Sequence, residues 1–254
     1  MQSQEPQQLV LPVISVPGEN SLMAPGEVRQ LSLDYELFQS MLQGGSTFFG
    51  CVSAKDCKNG VLGISGALLT VLAVKSIEQG ELPRVLIECR CSGRLSVLSA
   101  ATESSTENLD FVRVQKVKDE SEDSISERRE VAQLEWALWK SCKEVVGLVR
   151  KLQNGVVKAR AVELELSVWA PREYDRDIEE HEWESTPQVT RQVYWERAEC
   201  FSFGVLRWME GDEELMRKAR RMTNTADRLR MALLFVDEKK AKTYAQLSLK
   251  NALS

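Results

Sequence analysis

The sequence predicts an α+β protein in which the strands come first and the helices second. Three observations predict it. Up to about residue 118, short apolar runs are punctuated by glycine and proline at strand-like spacing. From Ser124 the apolar period becomes helical and stays so for most of the remaining chain. The 254 residues are 43% hydrophobic and 28% charged, ordinary globular values for one large domain or two intimate ones. The change of period divides the chain into a β part, 1–122, and a helical part, 123–254.

The β part reads element by element. Gln8 to Val16 is a short apolar run stopped by Pro17-Gly18, a turn signal. Pro25-Gly26 punctuates again, and Glu27 to Leu33 is a second strand. Asp34 caps a short helix, Tyr35 to Leu42, that ends at Gly44-Gly45. Short strands follow at Phe48 to Val52, Gly60 to Ala67, Leu69 to Ser76, Val85 to Cys91, Leu95 to Leu98 and Phe111 to Val117. Gly63 and Gly66, inside apolar runs, predict bulges or tight corners. Ser99 to Asn108 is rich in serine and threonine and reads as a loop. Strands at this spacing with glycine-rich turns predict a small barrel or a sandwich.

The helical part opens on Ser124-x-x-Glu127, a capping box. Val131, Leu134, Leu138, Cys142, Val145, Val149 and Leu152 then form one stripe at three- and four-residue steps, closed by Asn154-Gly155. Val156 to Val168 fits a strand and a helix equally. Glu173 to Glu184 reads as an acidic loop, with seven carboxylates and one arginine. Pro187 opens a helical stretch to Trp208, interrupted around Phe201-Ser202-Phe203-Gly204. Two more helices follow, Asp212 to Arg221 and one from Thr223 to about Leu249, the latter capped by Thr223 or Thr225.

Composition excludes several functions. With 33 Lys+Arg against 38 Asp+Glu the net charge is −5, which argues against a broad phosphate-gripping surface. His181 is the sole histidine, so any mechanism that needs two is excluded. No glycine precedes a lysine, so there is no phosphate-binding loop of the Walker type. The context of His181, Glu179-Glu180-His181-Glu182, fails the His-Glu-x-x-His test because residue 185 is Ser. Ser and Cys nucleophiles would need that same histidine as base, and none sits in a nucleophile motif. No catalysis, cofactor or metal is expected. Six cysteines in a chain this long read as buried thiols rather than a disulfide scaffold. Cys89 and Cys91 share one strand face, but two ligands without a second pair make a weak metal site.

The amino terminus has neither the basic n-region nor the apolar h-region of a signal peptide, and its first basic residue is Arg29. Val61 to Val74, the longest uncharged apolar stretch, falls short of the roughly 20 residues a membrane helix needs. The expectation is a soluble intracellular protein.

A set of short motifs, in order, resembles the Lon substrate-binding domain, the amino-terminal module of Lon proteases. Leu11-Pro12-Val13-Ile14 is similar to that family's opening Leu-Pro-Leu-Phe, and Pro25-Gly26 to the Pro-Gly before its second strand. Phe49-Gly50-Cys51-Val52 resembles its Phe-Gly-Val-Val strand, and Gly63 opens a stretch like its Gly-Thr-Val-Ala. Cys91 to Val97 resembles Gly-x-x-Arg-Phe-x-Val, and Phe111 to Asp119 the Tyr-x-x-Ala-x-Val segment. Phe201-Ser202-Phe203 and Thr225 to Leu229 look like the helical part of stand-alone plastid-type members. The family's Phe-Glu-Pro-Arg-Tyr helix start survives only as Leu33 to Phe38. The resemblance implies a PUA-like β-barrel of about six strands followed by a helical bundle. It implies a recognition module without ATPase or protease domains, which binds client or substrate polypeptides as adaptor to a separate protease, with a chloroplast address or otherwise a cytoplasmic one. It also implies that the acidic stretch of about 156–190, which the match leaves out, is an insertion. Two alternatives stand beside it: a structural subunit of a larger organellar assembly, and an RNA-binding PUA-like module.

The long helix also carries the candidate partner-binding residues. Val131, Leu134, Cys142, Val145 and Val149 cluster about Leu138, while Trp136, Trp139 and Lys143 fall on the opposite side. That second face is either sandwiched between barrel and bundle or presented to a protein partner, because tryptophan is enriched in interface hot spots. Arg217, Lys218, Arg220 and Arg221 form a basic group at a helix end, explained equally by the helix dipole and by ligand binding.

Overall fold

Among the described residues, the short apolar runs of the first part of the chain form six strands: β1 (Gln8–Val16), β2 (Val28–Asp34), β3 (Phe48–Ser53), β4 (Ser65–Glu78), β5 (Arg84–Ala100) and β6 (Asp110–Val117), with α1 (Tyr35–Gln43) after β2. The computed structural model describes residues 8–16, 23–43, 45, 47–53, 64–78, 80, 82–100, 110–120, 123–153, 167–172, 179–209 and 211–253. These strands form one sheet in the order β2-β5-β4-β3-β1-β6, and β5 also pairs with β6. The sheet therefore curls back on itself in the manner of a small barrel. β1 and β3 run parallel; the other neighbours are antiparallel.

Two apolar clusters fill this unit. One gathers Leu31, Leu33, Phe49, Leu69, Val85 and Ile87 beneath Phe38 and Met41 of α1. The other gathers Leu11, Val52, Leu68, Leu95, Val97 and Val114. Each such side chain stabilises the fold by roughly 1.5–3 kcal/mol relative to exposure. Asp34 caps α1 as the sequence predicts, its carboxylate accepting from Glu36 N at 2.9 Å and Leu37 N at 3.2 Å.

The sheet has fewer and longer strands than the sequence predicts. Val85 to Cys91 and Leu95 to Leu98 belong to one strand, β5, which bends at Gly93, where φ is +156° and the register with β4 shifts. Ser99 and Ala100 extend β5 by pairing with Arg113 and Val112, so the predicted loop begins later. Leu69 to Ser76 lies within β4, which starts at Ser65. Gly66 is a point of close approach: a Cβ there would lie 2.6 Å from the Cys51 carbonyl oxygen. Pro17-Gly18, Cys57 and Gly63 lie outside the described residues.

The chain divides at Lys118/Asp119 into two units, Met1–Lys118 and Asp119–Ser254. Asp119 belongs with the helices because its carboxylate takes the buried Arg228 guanidinium and the Thr225 hydroxyl, while Glu120 N donates to Thr223 O at 2.7 Å. The second unit contains α2 (Ile125–Gln153), α3 (Glu180–Ser185), α4 (Gln188–Trp208), α5 (Glu213–Arg221) and α6 (Thr225–Leu253). α2 and α6 run side by side in parallel: Glu130 pairs with Arg230, Ser141 donates to Asp237 at 2.9 Å, and Lys250 reaches Leu152 O at 2.8 Å. Val131, Leu138 and Val145 of α2, seven residues apart, are buried, as are Leu229, Ala232, Val236 and Thr243 of α6. That spacing is a coiled-coil seam.

Three further expectations are corrected here. α4 runs without interruption through Phe201-Ser202-Phe203-Gly204 because all four are buried, and the Ser202 hydroxyl donates to Glu199 O at 2.6 Å and accepts from Arg228 Nε at 2.7 Å. The cap of α6 is Asn224, which accepts from Asp227 N at 3.0 Å; Thr225 is occupied by Asp119. The second half of the predicted acidic loop is helical, as α3. Asn154-Gly155 and most of the ambiguous segment, 154–166, lie outside the described residues, as does the acidic stretch 173–178.

Candidate functional site

Helical spacing places Trp139 and Lys143 one turn apart on α2, with Lys143 Nζ 5.6 Å from the Trp139 ring centre, a cation–π distance. Lys143 is exposed and Trp139 half-buried, its ring edge-on to Phe201 of α4 at 6.4 Å. Trp136 is also half-buried, and its indole N–H is enclosed without an acceptor among the described residues. Among those residues it makes no ring contact with Trp139. The structure thus joins two of the three predicted residues and seats Trp139 against its own bundle, leaving part of its ring and Lys143 open.

A second cluster escapes the sequence reading. Trp183 of α3 and Tyr194 and Trp195 of α4 meet edge to face at 5.1–6.2 Å. The Arg128 guanidinium lies 4.4 Å from the Tyr194 ring centre and 5.3 Å from that of Trp183. Asp123 ties the group together from a left-handed backbone, φ 52°, which aspartate tolerates better than most residues. Its carboxylate accepts from Trp195 Nε1 at 2.9 Å and Arg191 at 2.7 Å, and its carbonyl from Trp183 Nε1 at 3.2 Å. Beneath it, buried Glu135 receives both terminal nitrogens of Arg197, at 2.9 and 2.8 Å. Composition alone resembles a binding hot spot, but the rings pack on one another and Asp123 takes up Arg191 and both indole N–H groups. This cluster holds α2, α3 and α4 together.

His181 is exposed on α3. Burial pushes the Cys89 thiol up to about 11, against the pull of Arg29, and the Cys142 thiol up to about 12, with Asp237 adding to the effect. Cys51, Cys89, Cys91 and Cys142 are buried and Cys200 is half-buried, and none of these five is in a disulfide. At the α2–α6 seam the hydrogen bond from Lys240 holds Asp237 below the usual carboxylate range, and the same bond raises Lys240. The predicted basic group on α5 is dispersed: Arg220 is buried, Arg217 pairs with Glu213 at 3.0 Å, and Lys218 and Arg221 are exposed.

The first unit carries an open apolar surface. Val74 stands opposite Ile87 and Ile77 opposite Val85, and paired residues share a sheet face. Ile87 and Val85 are fully buried, whereas Val74 is 47% and Ile77 51% exposed. β2 pairs alongside β5 with Leu31 and Leu33 opposite Ile87 and Val85, and the core ends before the outer half of β4. Leu72, at a register shift in the same strand, is 45% exposed. Periodicity shows these residues as strand members and cannot show that the face over them is left uncovered.

No family profile matches this sequence, and no curated protein does. Solved structures do match. The N-terminal domain of Mycobacterium avium complex Lon protease superposes with a TM-score of 0.52 at 14% identity, over 91% of this chain and 98% of that one. This chain has the fold of a Lon N-terminal domain. A Lon N-terminal domain protein from Xanthomonas campestris matches at a TM-score of 0.46 and 13% identity, over 90% of this chain and 98% of that one. The order of strands before helices and the barrel-like sheet agree with what the motif resemblance implies. Among the described residues no helix is long and apolar enough to cross a membrane.

Proposed function

We propose that this protein is a non-catalytic module that binds polypeptides through the open apolar surface of its β unit. The observation that carries the reading is the outer half of β4, where Leu72, Val74 and Ile77 are each about half exposed beside the buried Val85 and Ile87 of β5. Apolar side chains concentrated on one strand mark interaction sites more often than scattered ones do. The fold supports the reading, since a solved structure that shares it is a domain of a protease. In this reading the domain recruits client or degradation-substrate chains, as adaptor to a separate protease. Trp139 and Lys143 of α2 form a second, smaller contact. The plastid setting rests on the resemblance of Phe201 to Phe203 and Thr225 to Leu229, and imaging of a fluorescent fusion tests it.

The alternative of a structural subunit makes an opposite demand on assembly state, because permanent subunits bury large interfaces at fixed ratio. The native size of the tagged protein in a gentle extract, with mass spectrometry of what elutes with it, separates the two. Client recognition gives a peak near the 28.7 kDa monomer, trailing into varied substoichiometric proteins that the Leu72→Ser/Val74→Ser/Ile77→Ser variant loses. A sharp high-mass peak of constant composition contradicts it.

A further inference from the structure

Among the described residues β2 is the outermost strand of the sheet, pairing with β5 on one side. The parity of its ladder follows from its two ends. Cys91 N donates to Glu27 O at 2.8 Å and Tyr35 N donates to Pro83 O at 3.0 Å. Between these bonds the register steps one for one from Val28 opposite Arg90 to Asp34 opposite Arg84. Successive residues of an antiparallel strand turn their backbone groups to opposite sides. Arg29, Leu31 and Leu33 therefore address β5, and Val28, Gln30 and Ser32 address the open side.

All three outward residues are exposed, Val28 at 46%. The Ser32 carbonyl is held by Arg84 Nη2 at 2.9 Å. Among the described residues the N–H and C=O of Val28 and Gln30 meet no other backbone or side-chain partner. An exposed row of such groups is a template for another strand, and natural sheets commonly block it with proline or lysine. The β2 sequence, Val-Arg-Gln-Leu-Ser-Leu-Asp, contains neither.

We propose that the β2 edge takes an extended polypeptide segment as an added strand, hydrogen-bonded through its main chain to Val28 and Gln30. This rests on the polypeptide-binding reading above and adds where the bound chain is gripped and in what conformation. The ligand chemistry follows from the edge: alternating donors and acceptors along a strand are matched by the backbone of another extended chain, about 4.8 Å away. At this edge side chains contribute little, so the main-chain grip tolerates varied sequences, while the apolar contact is left to Leu72, Val74 and Ile77 of β4. A second copy of β2 is a poorer occupant. Antiparallel self-pairing about Gln30 sets each Val28 against the partner's Ser32, whose carbonyl Arg84 already holds. A foreign segment can stop short of Ser32.

The test uses reduced, carboxymethylated lysozyme, a chain that cannot refold, as probe. Fluorescence anisotropy gives its affinity for the unaltered protein and for Gln30→Pro, with amide exchange at Val28 and Gln30 followed by NMR. Gln30 N–H lies outside the β5 ladder, so proline removes an edge donor while leaving the sheet paired. The proposal expects binding by the unaltered protein, slower exchange at Val28 and Gln30 on binding, and affinity about tenfold lower or worse for Gln30→Pro, the equivalent of one lost main-chain hydrogen bond. Should circular dichroism show Gln30→Pro unfolded, Gln30→Lys and Val28→Lys carry the same expectation. Binding that these variants leave intact, with exchange unchanged, overturns the edge alone. No binding by the unaltered protein overturns the polypeptide reading and the edge with it. A dimer that Gln30→Pro dissociates assigns the edge to a second copy and overturns the proposal.

Discussion

Glu135 and Arg197 face each other where almost no water reaches, their side chains 0% and 9% exposed and 2.8 Å apart. Removing one partner of such a pair strands the other charge. Glu135→Ala is therefore expected to lower unfolding free energy by about 3–5 kcal/mol, read from the urea midpoint. The Cys142 thiol gives a pH signature. Its folded value, about 12, lies above its ordinary value of 9.0, so the folded state keeps a proton that the unfolded chain loses. Its contribution to stability is complete below about pH 9 and is lost, at about 1.4 kcal/mol per pH unit, as pH rises toward 12. Urea midpoints that fall more steeply in this window for the native protein than for Cys142→Ala check it. At this scale the sequence was half legible. Val131, Leu138 and Cys142 are apolar and periodic, so their burial can be read. Arg128, Glu135, Arg197 and Arg228 are charged, and their burial depends on partners 60 or more residues distant, or on aromatic rings of α3 and α4.

Elements were legible where their pattern was long or their cap local. α2, 29 residues long, repeats its stripe from Val131 to Leu152 and starts at a Ser124 that accepts from Glu127 N at 3.2 Å; both features sit in the local sequence. α3 has six residues, Glu-His-Glu-Trp-Glu-Ser, too few for a period, and its charges suggested a loop. Its one buried residue, Trp183, is held by Asp123, far away in sequence. Phe201-Ser202-Phe203-Gly204 looked like a break in α4 because serine and glycine are poor helix formers; tertiary burial overrides that preference. At Gly66 the sequence pointed to a tight place, and the structure supplies the obstacle, the Cys51 carbonyl. Gly66→Ala is expected to cost about 1–3 kcal/mol through backbone displacement, measured as a lower thermal midpoint.

For the whole molecule, the fold was legible from strands followed by helices and from an ordered set of short motifs, and the likeness to the Mycobacterium avium complex domain agrees over 91% of the chain. The site was less so. Trp136, Trp139 and Lys143 stood out because aromatic residues opposite an apolar stripe are conspicuous, whereas Leu72, Val74 and Ile77 look like ordinary strand residues until the surrounding packing is known. The net charge of −5 gives the molecule little to hold a phosphate backbone, and the dispersal of Arg217, Lys218, Arg220 and Arg221 removes the clearest basic group. RNA binding would have to weaken steeply with salt; polypeptide binding through apolar strands would not. The most direct measurement is a parallel titration of the protein with three labelled probes at two salt concentrations: unfolded carboxymethylated lysozyme, native lysozyme and polyuridylate. The account predicts saturable binding of the unfolded chain that salt hardly changes, with no binding of the native protein or the RNA. Binding of polyuridylate that falls steeply with salt, or no binding of the unfolded chain, would contradict it.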